Sequence, residues 1–388
     1  MRSLGLYIHI PFCKAKCIYC DFYSLPRAEG QMDAYVSALT AQLAAWRERT
    51  ADCTVDTVYF GGGTPSYLGA DRLCRILETV FAHYHVAREA EITTEANPDS
   101  AREERALRQL RSAGFNRISL GMQSANDEEL RLIGRVHTHE QTVAAVRAAR
   151  AAGFDNVSLD LIYGLPEQSM ARWRKNLDAA IALEPEHLSC YGLKIEEGTP
   201  LYRKKDALVI PDDDAQAEEY LATVETLARA GYRQYEISNF ARPGRESRHN
   251  LKYWLMQEYL GFGPCAASDF AGRRFTIEPN LEKYIKGVME KGVILSESEL
   301  VPLRERAGEY LMLRLRTVDG IEKGEYTRSF LLPFEPIEEI LIRLQAQEYA
   351  AFSAGRWHLT PKGFMLSNSI LVELLEAQQK SRPLTQKK

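Results

Sequence analysis

Apolar and polar positions alternate along the chain with two different periods, and the switch between them is regular through the first half. Leu4, Leu6, Ile8 and Ile10 alternate with Gly5, Tyr7 and His9, the period-two pattern of a strand with one buried face. A helical pattern follows from Met32 to Arg47. Further strands are expected at 55–60, 90–95, 116–122, 156–163 and 187–195, with helices at 70–84, 100–113, 139–152 and 169–183 between them. Strands separated by crossover helices pair in parallel. The run Val157-Ser158-Leu159-Asp160-Leu161-Ile162-Tyr163 is almost continuously apolar, as suits a strand covered on both faces. Six such βα units fall short of the eight of a closed barrel. The expected core is therefore an open, partial (β/α)6 barrel of the α/β class.

Beyond 195 the alternation stops. Residues 211–230 read as a helix, with Pro211-Asp212-Asp213-Asp214 as its start signal. Residues 231–275 are aromatic and glycine-rich, without a clear period. Arg304–Arg316 and Pro336–Gln347 have helical spacing, and Tyr349–Phe352, Gly355 and Trp357–Leu359 form a hairpin pattern. Two helices and a hairpin suggest a smaller, winged-helix-like C-terminal domain. The expected division is a barrel over 1–240, a connecting segment over 241–299 and the C-terminal domain over 300–380. The last eight or so residues, rich in Lys and Gln, are expected to fray.

Composition narrows the class. The 388 residues are 45% hydrophobic and 26% charged, the values of an ordinary globular chain. The net charge of -4 supplies no basic excess for a phosphate backbone, so no nucleic-acid partner is expected. No apolar run reaches the length of a membrane span. The first residues enter a strand directly, without the pattern of a secretory signal, so a cytoplasmic location is expected. In a reducing compartment, clustered cysteines point to a metal site and not to disulfides. Cys13, Cys17 and Cys20 fall within eight residues, whereas Cys53, Cys74, Cys190 and Cys265 are scattered and read as small buried hydrophobes.

The Cys13-x3-Cys17-x2-Cys20 trio follows the first strand. Three thiolates so spaced can each bind one iron of a cubane cluster and leave the fourth iron open. A structural zinc would want four ligands, and no Cys or His follows Cys20 at suitable spacing. Gly61-Gly62-Gly63-Thr64-Pro65 follows the second strand. It is no P-loop, and by itself it reads as a turn as readily as a ligand-binding loop. Later strands end in Thr94-Glu95-Ala96-Asn97-Pro98, Gly121-Met122-Gln123-Ser124 and Asp160-Leu161-Ile162-Tyr163-Gly164. Any one of these polar residues could cap a helix. Together they converge on the mouth of a βα barrel.

The segment Tyr7-Ile8-His9-Ile10-Pro11-Phe12-Cys13-Lys14-Ala15-Lys16-Cys17-Ile18-Tyr19-Cys20 resembles the cluster loop of the radical S-adenosylmethionine proteins. More narrowly, it resembles their oxygen-independent coproporphyrinogen oxidase branch. The resemblance implies a [4Fe-4S] cluster on Cys13, Cys17 and Cys20, with S-adenosylmethionine chelated at the open iron. It also implies S-adenosylmethionine contacts from Tyr7, Gly62, Gly63, Thr64, Glu95, Gln123, Arg135 and Asp160, with Tyr19 near the adenine. Two kinds of protein in this branch compete: the heme-pathway oxidase, and a heme chaperone that binds heme and delivers it to respiratory proteins.

Three features favour the chaperone. The oxidase loop carries a further Cys two residues after the third, where this chain has Phe22. The oxidase has an N-terminal extension ahead of its first strand, whereas Cys13 comes early here. His249-Asn250-x-x-Tyr253-Trp254 matches a motif of the chaperone branch. That match implies heme binding, with His249 as an iron ligand and Tyr253 and Trp254 packing on the porphyrin. Arg242, Arg245, Arg248 and Lys252 are basic neighbours that could pair with propionates. The expectation is thus a heme carrier with a radical S-adenosylmethionine site, and coproporphyrinogen oxidase activity is not expected. Heme is its cargo and heme-accepting respiratory proteins are its partners. The remaining histidines, including His9, His137 and His187, read as structural.

Overall fold

The structure is a computed structural model that describes residues 1–384. Residues 385–388, part of the tail expected to fray, lie outside the described residues. The six predicted parallel strands form as β1 Arg2–Ile10, β2 Cys53–Gly62, β3 Val86–Ala96, β4 Arg117–Gln123, β5 Val157–Tyr163 and β6 His187–Gly192, paired side by side in chain order. The crossover helices are α1 Met32–Trp46, α2 Ala70–His83, α3 Glu104–Ala113, α4 His139–Ala151 and α5 Met170–Ile181. Their boundaries follow local capping chemistry. Thr138 and Gln141 form a capping box at the start of α4, and Ser169 accepts the Arg172 N–H at the start of α5.

One face of each strand builds the core beneath the helices. Leu4, Leu6, Ile8 and Ile10 of β1 are fully buried, as are Ile118, Leu120 and Met122 of β4 and Leu159 and Leu161 of β5. The opposite faces line the barrel interior. The curved sheet does not close on itself, as expected from six units.

The aromatic stretch after 231 departs most from expectation. It is not a separate linker but an extension of the same sheet. Strands β7 Arg233–Gln234 and β8 Asn239–Ala241 add antiparallel to β6. At the other edge, β9 Tyr259–Phe262 pairs in parallel with β1, followed antiparallel by β10 Ala267–Phe270, β11 Arg273–Ile277 and β12 Leu295–Leu300. The result is one twelve-stranded sheet. These strands escaped notice because most are five residues or shorter, too short to show a period-two pattern among the aromatics.

Helix α6, Asp213–Arg229, begins where its start signal lies, with Asp212 accepting the Ala215 N–H. Two helices follow that the sequence reading passed over: α7 Arg248–Trp254, and α8 Leu281–Lys291, which packs on α1.

The C-terminal part contains three helices ahead of its hairpin, α9 Leu303–Arg314, α10 Lys323–Phe330 and α11 Glu335–Ala346. The hairpin pairs β13 Ala350–Ser353 with β14 Arg356–Leu359, and α12 Ser367–Lys380 packs back against α9. The hairpin is thus preceded by three helices, one more than the two expected. This unit has its own core, in which Leu311, Tyr326, Phe334, Ile337, Leu341 and Trp357 meet. It touches the open sheet on both sides of the six parallel strands. On the β7–β8 side, Ile237 N donates to Arg316 O at 2.9 Å and Tyr220 of α6 joins its core. On the β10–β11 side, Arg306 pairs with Asp269, and Arg274 pairs with Glu309 at 2.8 Å. The C-terminal unit thus bridges the two sets of added strands that flank the parallel core. Among the described residues, no helix is long and apolar enough to cross a membrane.

Candidate functional site

The C-terminal ends of β1–β6 open onto a cavity of about 490 Å³, at the end where βα barrels carry their ligands. The cysteine loop forms one wall. Phe12–Cys13 pairs with Leu25–Pro26 and ties the loop off at both ends, and Ile18 N donates to Ile133 O at 3.2 Å. Cys13, Cys17 and Cys20 are free thiols that all line the cavity. Burial raises the thiol pKa of Cys13 and of Cys20, so a metal bound there would have to displace their protons. Among the described residues, no three Cys, His, Asp or Glu side chains converge on a single-ion position. Spaced thiols around a cavity suit a polynuclear cluster and not a lone zinc.

The glycine loop backs the cysteines. A Cβ on Gly63 would lie 2.7 Å from Phe12 O, 2.9 Å from Ile10 O and 3.0 Å from Cys13 Sγ. Gly63 N and Thr64 N donate to Ile10 O and Phe12 O, both at 2.8 Å. Gly62 has φ +110° and donates its N–H to Glu95 Oε2 at 3.3 Å. The run is glycine because the end of β2 must pass directly behind the cysteine loop.

The remaining walls come from strand ends. Glu95 accepts the Tyr59 hydroxyl at 2.7 Å, and burial pushes its pKa up to about 7. Gln123 sits at φ +61°, where the β4–β5 register shifts. Arg135 donates to Asn97 Oδ1 and Gly121 O, both at 2.8 Å, and to Cys17 Sγ at 3.6 Å. Its fixed charge lies against the thiol trio. Asp160 accepts from Ser119 at 3.1 Å. Tyr19 packs against a small apolar cluster of Ile133, Ile162 and Leu165.

The structure therefore gathers Cys13, Cys17, Cys20, Tyr19, Gly62, Gly63, Thr64, Glu95, Gln123, Arg135 and Asp160 around one cavity. Tyr7 is not brought to it. Its hydroxyl lies 3.0 Å from His9 Nδ1, and Tyr59 on the neighbouring strand lines the cavity instead. The sequence reading also missed Arg117, Ser119, Ser189 and Tyr191. Their signal was present as parity: Arg117, Ser119, Gly121 and Gln123 occupy alternate positions of β4, all turned inward, while the apolar residues between them face the helices.

The His249 motif is placed differently from expectation. Helix α7 plugs the barrel floor, held by the Glu91 carboxylate, which accepts the Arg248 and His249 N–H groups, both at 3.0 Å. His249 is fully buried. Its Nδ1 shares a hydrogen bond with Thr57 Oγ1 and its Nε2 shares one with the Tyr253 hydroxyl, both at 2.8 Å. Its ring stacks on Tyr59 at 5.2 Å. Burial, together with Lys252 and Arg117, lowers its pKa to about 3, so the ring is neutral. With both nitrogens engaged, His249 has no lone pair to offer a heme iron in this arrangement. Tyr253 is tied up in the same floor, edge-on to Tyr259 at 4.6 Å. Trp254 is half-buried and does not line the cavity, whereas Asn250 does.

The basic neighbours are likewise committed. Lys252 is buried and bonded to Asp56 at 2.7 Å and Ser3 at 2.6 Å. Arg245 faces Asp155, Arg248 donates to Glu89 O, and Arg242 lies over Tyr232.

Three carboxyls, two of them buried and Glu95 half-buried at the cavity, give the fold a pH signature. Glu95, Glu219 and Glu236 are each raised to about 7, in each case mainly by burial. A raised carboxyl favours folding in its protonated form. That contribution is complete below an unfolded value of about 4.5 and is lost as pH climbs through 7. Glu95→Gln is expected to remove one of three comparable parts of this slope, up to about 3 kcal/mol between pH 5 and 8. Urea melts of the metal-free protein at the two pH values measure it.

Comparison with known proteins agrees with this geometry. Residues 7–180 match the radical SAM superfamily, and residues 301–366 match the HemN C-terminal domain. Heme chaperone HemW of Bacillus subtilis is 33% identical over 368 residues, covering 94% of this chain and 97% of that one. Heme chaperone HemW of Escherichia coli is 36% identical over 375 residues, covering 96% and 98%. Coproporphyrinogen III oxidase (HemN) of Escherichia coli superposes with a TM-score of 0.84 at 24% identity, over 98% of this chain and 90% of that one, a likeness of fold. With a thiol trio at the mouth of an open parallel barrel and near-full-length similarity to these chaperones, the chain belongs to the HemW family of heme chaperones within the radical SAM superfamily.

Proposed function

We propose that this protein carries heme to respiratory acceptor proteins, and that it holds a [4Fe-4S] cluster on Cys13, Cys17 and Cys20 beside S-adenosylmethionine. The observation that carries the reading is the convergence of three free thiols, the glycine loop, Glu95, Gln123, Arg135 and Asp160 on one cavity, in a chain similar to heme chaperones over nearly its whole length. A cluster held by Cys13, Cys17 and Cys20 would supply one-electron chemistry toward the sulfonium of S-adenosylmethionine. The chain's own residues hold the parts in place. Arg135 offsets the negative charge of the thiolates, Gly62 and Thr64 present backbone to the methionine end, and Glu95 and Asp160 suit ribose hydroxyls.

For heme, His249 is engaged in the floor, so the porphyrin face is assigned to rings left uncovered at the cavity. Phe22 is 65% exposed and Tyr191 41% exposed, and both line it. Large exposed rings beside a cavity are suited to covering a flat apolar ligand. Phe22 stands where the oxidase has its additional cysteine, so one residue both departs from the oxidase pattern and offers a packing surface.

Anaerobic reconstitution followed by separate additions of heme and coproporphyrinogen III tests the reading. Stoichiometric heme uptake with a Soret band, and passage of that heme to a heme-free respiratory oxidase, are expected. Release of carbon dioxide from coproporphyrinogen with formation of protoporphyrinogen would replace carriage by the oxidase reaction.

A further inference from the structure

Among the described residues, four cations line the cavity: Lys16, Arg117, Arg135 and Lys194. Three have partners on the chain. Lys16 Nζ donates to Phe22 O at 3.0 Å, Arg135 is held by Asn97, Gly121 and Cys17, and Lys194 is paired with Glu196. Arg117 differs. It is 2% exposed and is among the largest fully buried side chains. Its Nε is sealed from solvent with no partner, and no hydrogen bond or ion pair reaches its guanidinium among the described residues. Leaving such a charge buried and unpaired is costly, and an unsatisfied buried group aimed into a cavity calls for a ligand.

The position of Arg117 separates it from the cluster end. It opens β4, whereas Gly121 and Gln123 lie at the far end of that strand. At about 3.3 Å per residue, the Arg117 backbone is about 13 Å below Gly121. The methionine carboxylate of S-adenosylmethionine belongs at the upper end, by Cys17 and Arg135. Glu95 and Asp160 feel the field of Arg117 but make no contact with it. Ser119, Ser189 and Asn250 line the same cavity with neutral polar groups.

We propose that Arg117 is the anchor of a carboxylate-binding position in the lower part of the barrel, beneath S-adenosylmethionine, which takes a carboxylate of a second ligand. This rests on the reading of the cavity as the cluster and S-adenosylmethionine site of a heme carrier. The carboxylate is either a propionate of heme itself or that of a separate small acid. A guanidinium–carboxylate contact of this kind is worth roughly ten- to a hundredfold in affinity.

The test uses full-length protein with cluster and S-adenosylmethionine, comparing wild type, Arg117→Gln and Arg117→Lys. Retention of S-adenosylmethionine on dialysis shows that each variant is folded. Each is titrated with heme and with heme dimethyl ester, and its melting temperature is measured in matched sodium propionate and sodium chloride. Wild type is expected to prefer heme over the ester by about tenfold or more. Arg117→Gln should bring the two within about twofold, and Arg117→Lys should keep part of the preference. That result assigns the carboxylate to heme. A preference unchanged in Arg117→Gln, with propionate stabilising wild type and not the variant, assigns it to a separate small acid. No difference between wild type and Arg117→Gln in either measurement overturns the proposal. Failure of wild type to bind heme or ester defeats the heme-carrier reading, and the propionate comparison still decides the role of Arg117.

Discussion

Cys17→Ser is expected to abolish the iron–sulfur signature of the reconstituted protein, and Cys13→Ser and Cys20→Ser are each expected to do the same. The broad absorbance near 400 nm and the EPR signal of the reduced cluster should fall to background, because three thiolates are the whole protein ligand set for a cubane that keeps one iron open. The cysteines differ in surroundings. Cys13 is buried against Thr64 at 3.4 Å, while Cys17 faces Arg135. Cys17→Ser therefore also removes the thiolate that the Arg135 charge meets. Far-UV circular dichroism should stay unchanged in all three, since the loop is tied at both ends by backbone pairing and not by its sulfurs. A full cluster spectrum in any of the three would disprove the ligand assignment. Cys53→Ser and Cys74→Ser serve as controls, both residues being buried away from the cavity.

His249→Ala is expected to leave heme affinity within about twofold while lowering folding stability by about 3 kcal/mol. The loss has two sources. The imidazole fills fully buried space between Thr57, Tyr59 and Tyr253, so truncation leaves a cavity. It also leaves the Thr57 and Tyr253 hydroxyls without their partner, at about 1–3 kcal/mol for each buried group left unsatisfied. Because Tyr59 stacks on His249 and donates to Glu95, loosening of the floor should also be felt in S-adenosylmethionine binding. Equilibrium denaturation and heme titration on the same preparation separate the effects. Loss of the Soret band with unchanged stability would instead show that the floor opens and that His249 reaches the iron.

The parts of the fold legible in the sequence share one physical basis. Strands such as β1 and β5 are buried by helices on one face, so their apolar residues recur in a readable pattern. The six-unit count, the parallel pairing and the convergence of strand ends follow from that repetition. The cysteine trio was legible for a local reason, since ligands within one loop need no knowledge of the rest of the chain. The glycine run was legible as a loop, but its reason, the approach of Gly63 to Phe12 O and Cys13 Sγ, belongs to the packing of two strands.

Local spacing was enough to read the open α/β barrel, the thiol trio at its mouth and most of the polar strand ends around the cavity. Long-range packing made residues 259–300 widen the sheet and set the C-terminal unit against strands on both sides of the parallel core. It also turned His249 and Tyr253 into the floor and left Arg117 inside without a partner among the described residues. The dividing line is range. Periodicity and ligand spacing act between residues a few positions apart. Whether a histidine ligates or packs, and whether an arginine is paired or free, depends on partners such as Thr57 and His249 that are 192 positions apart and meet only when the sheet curves around them.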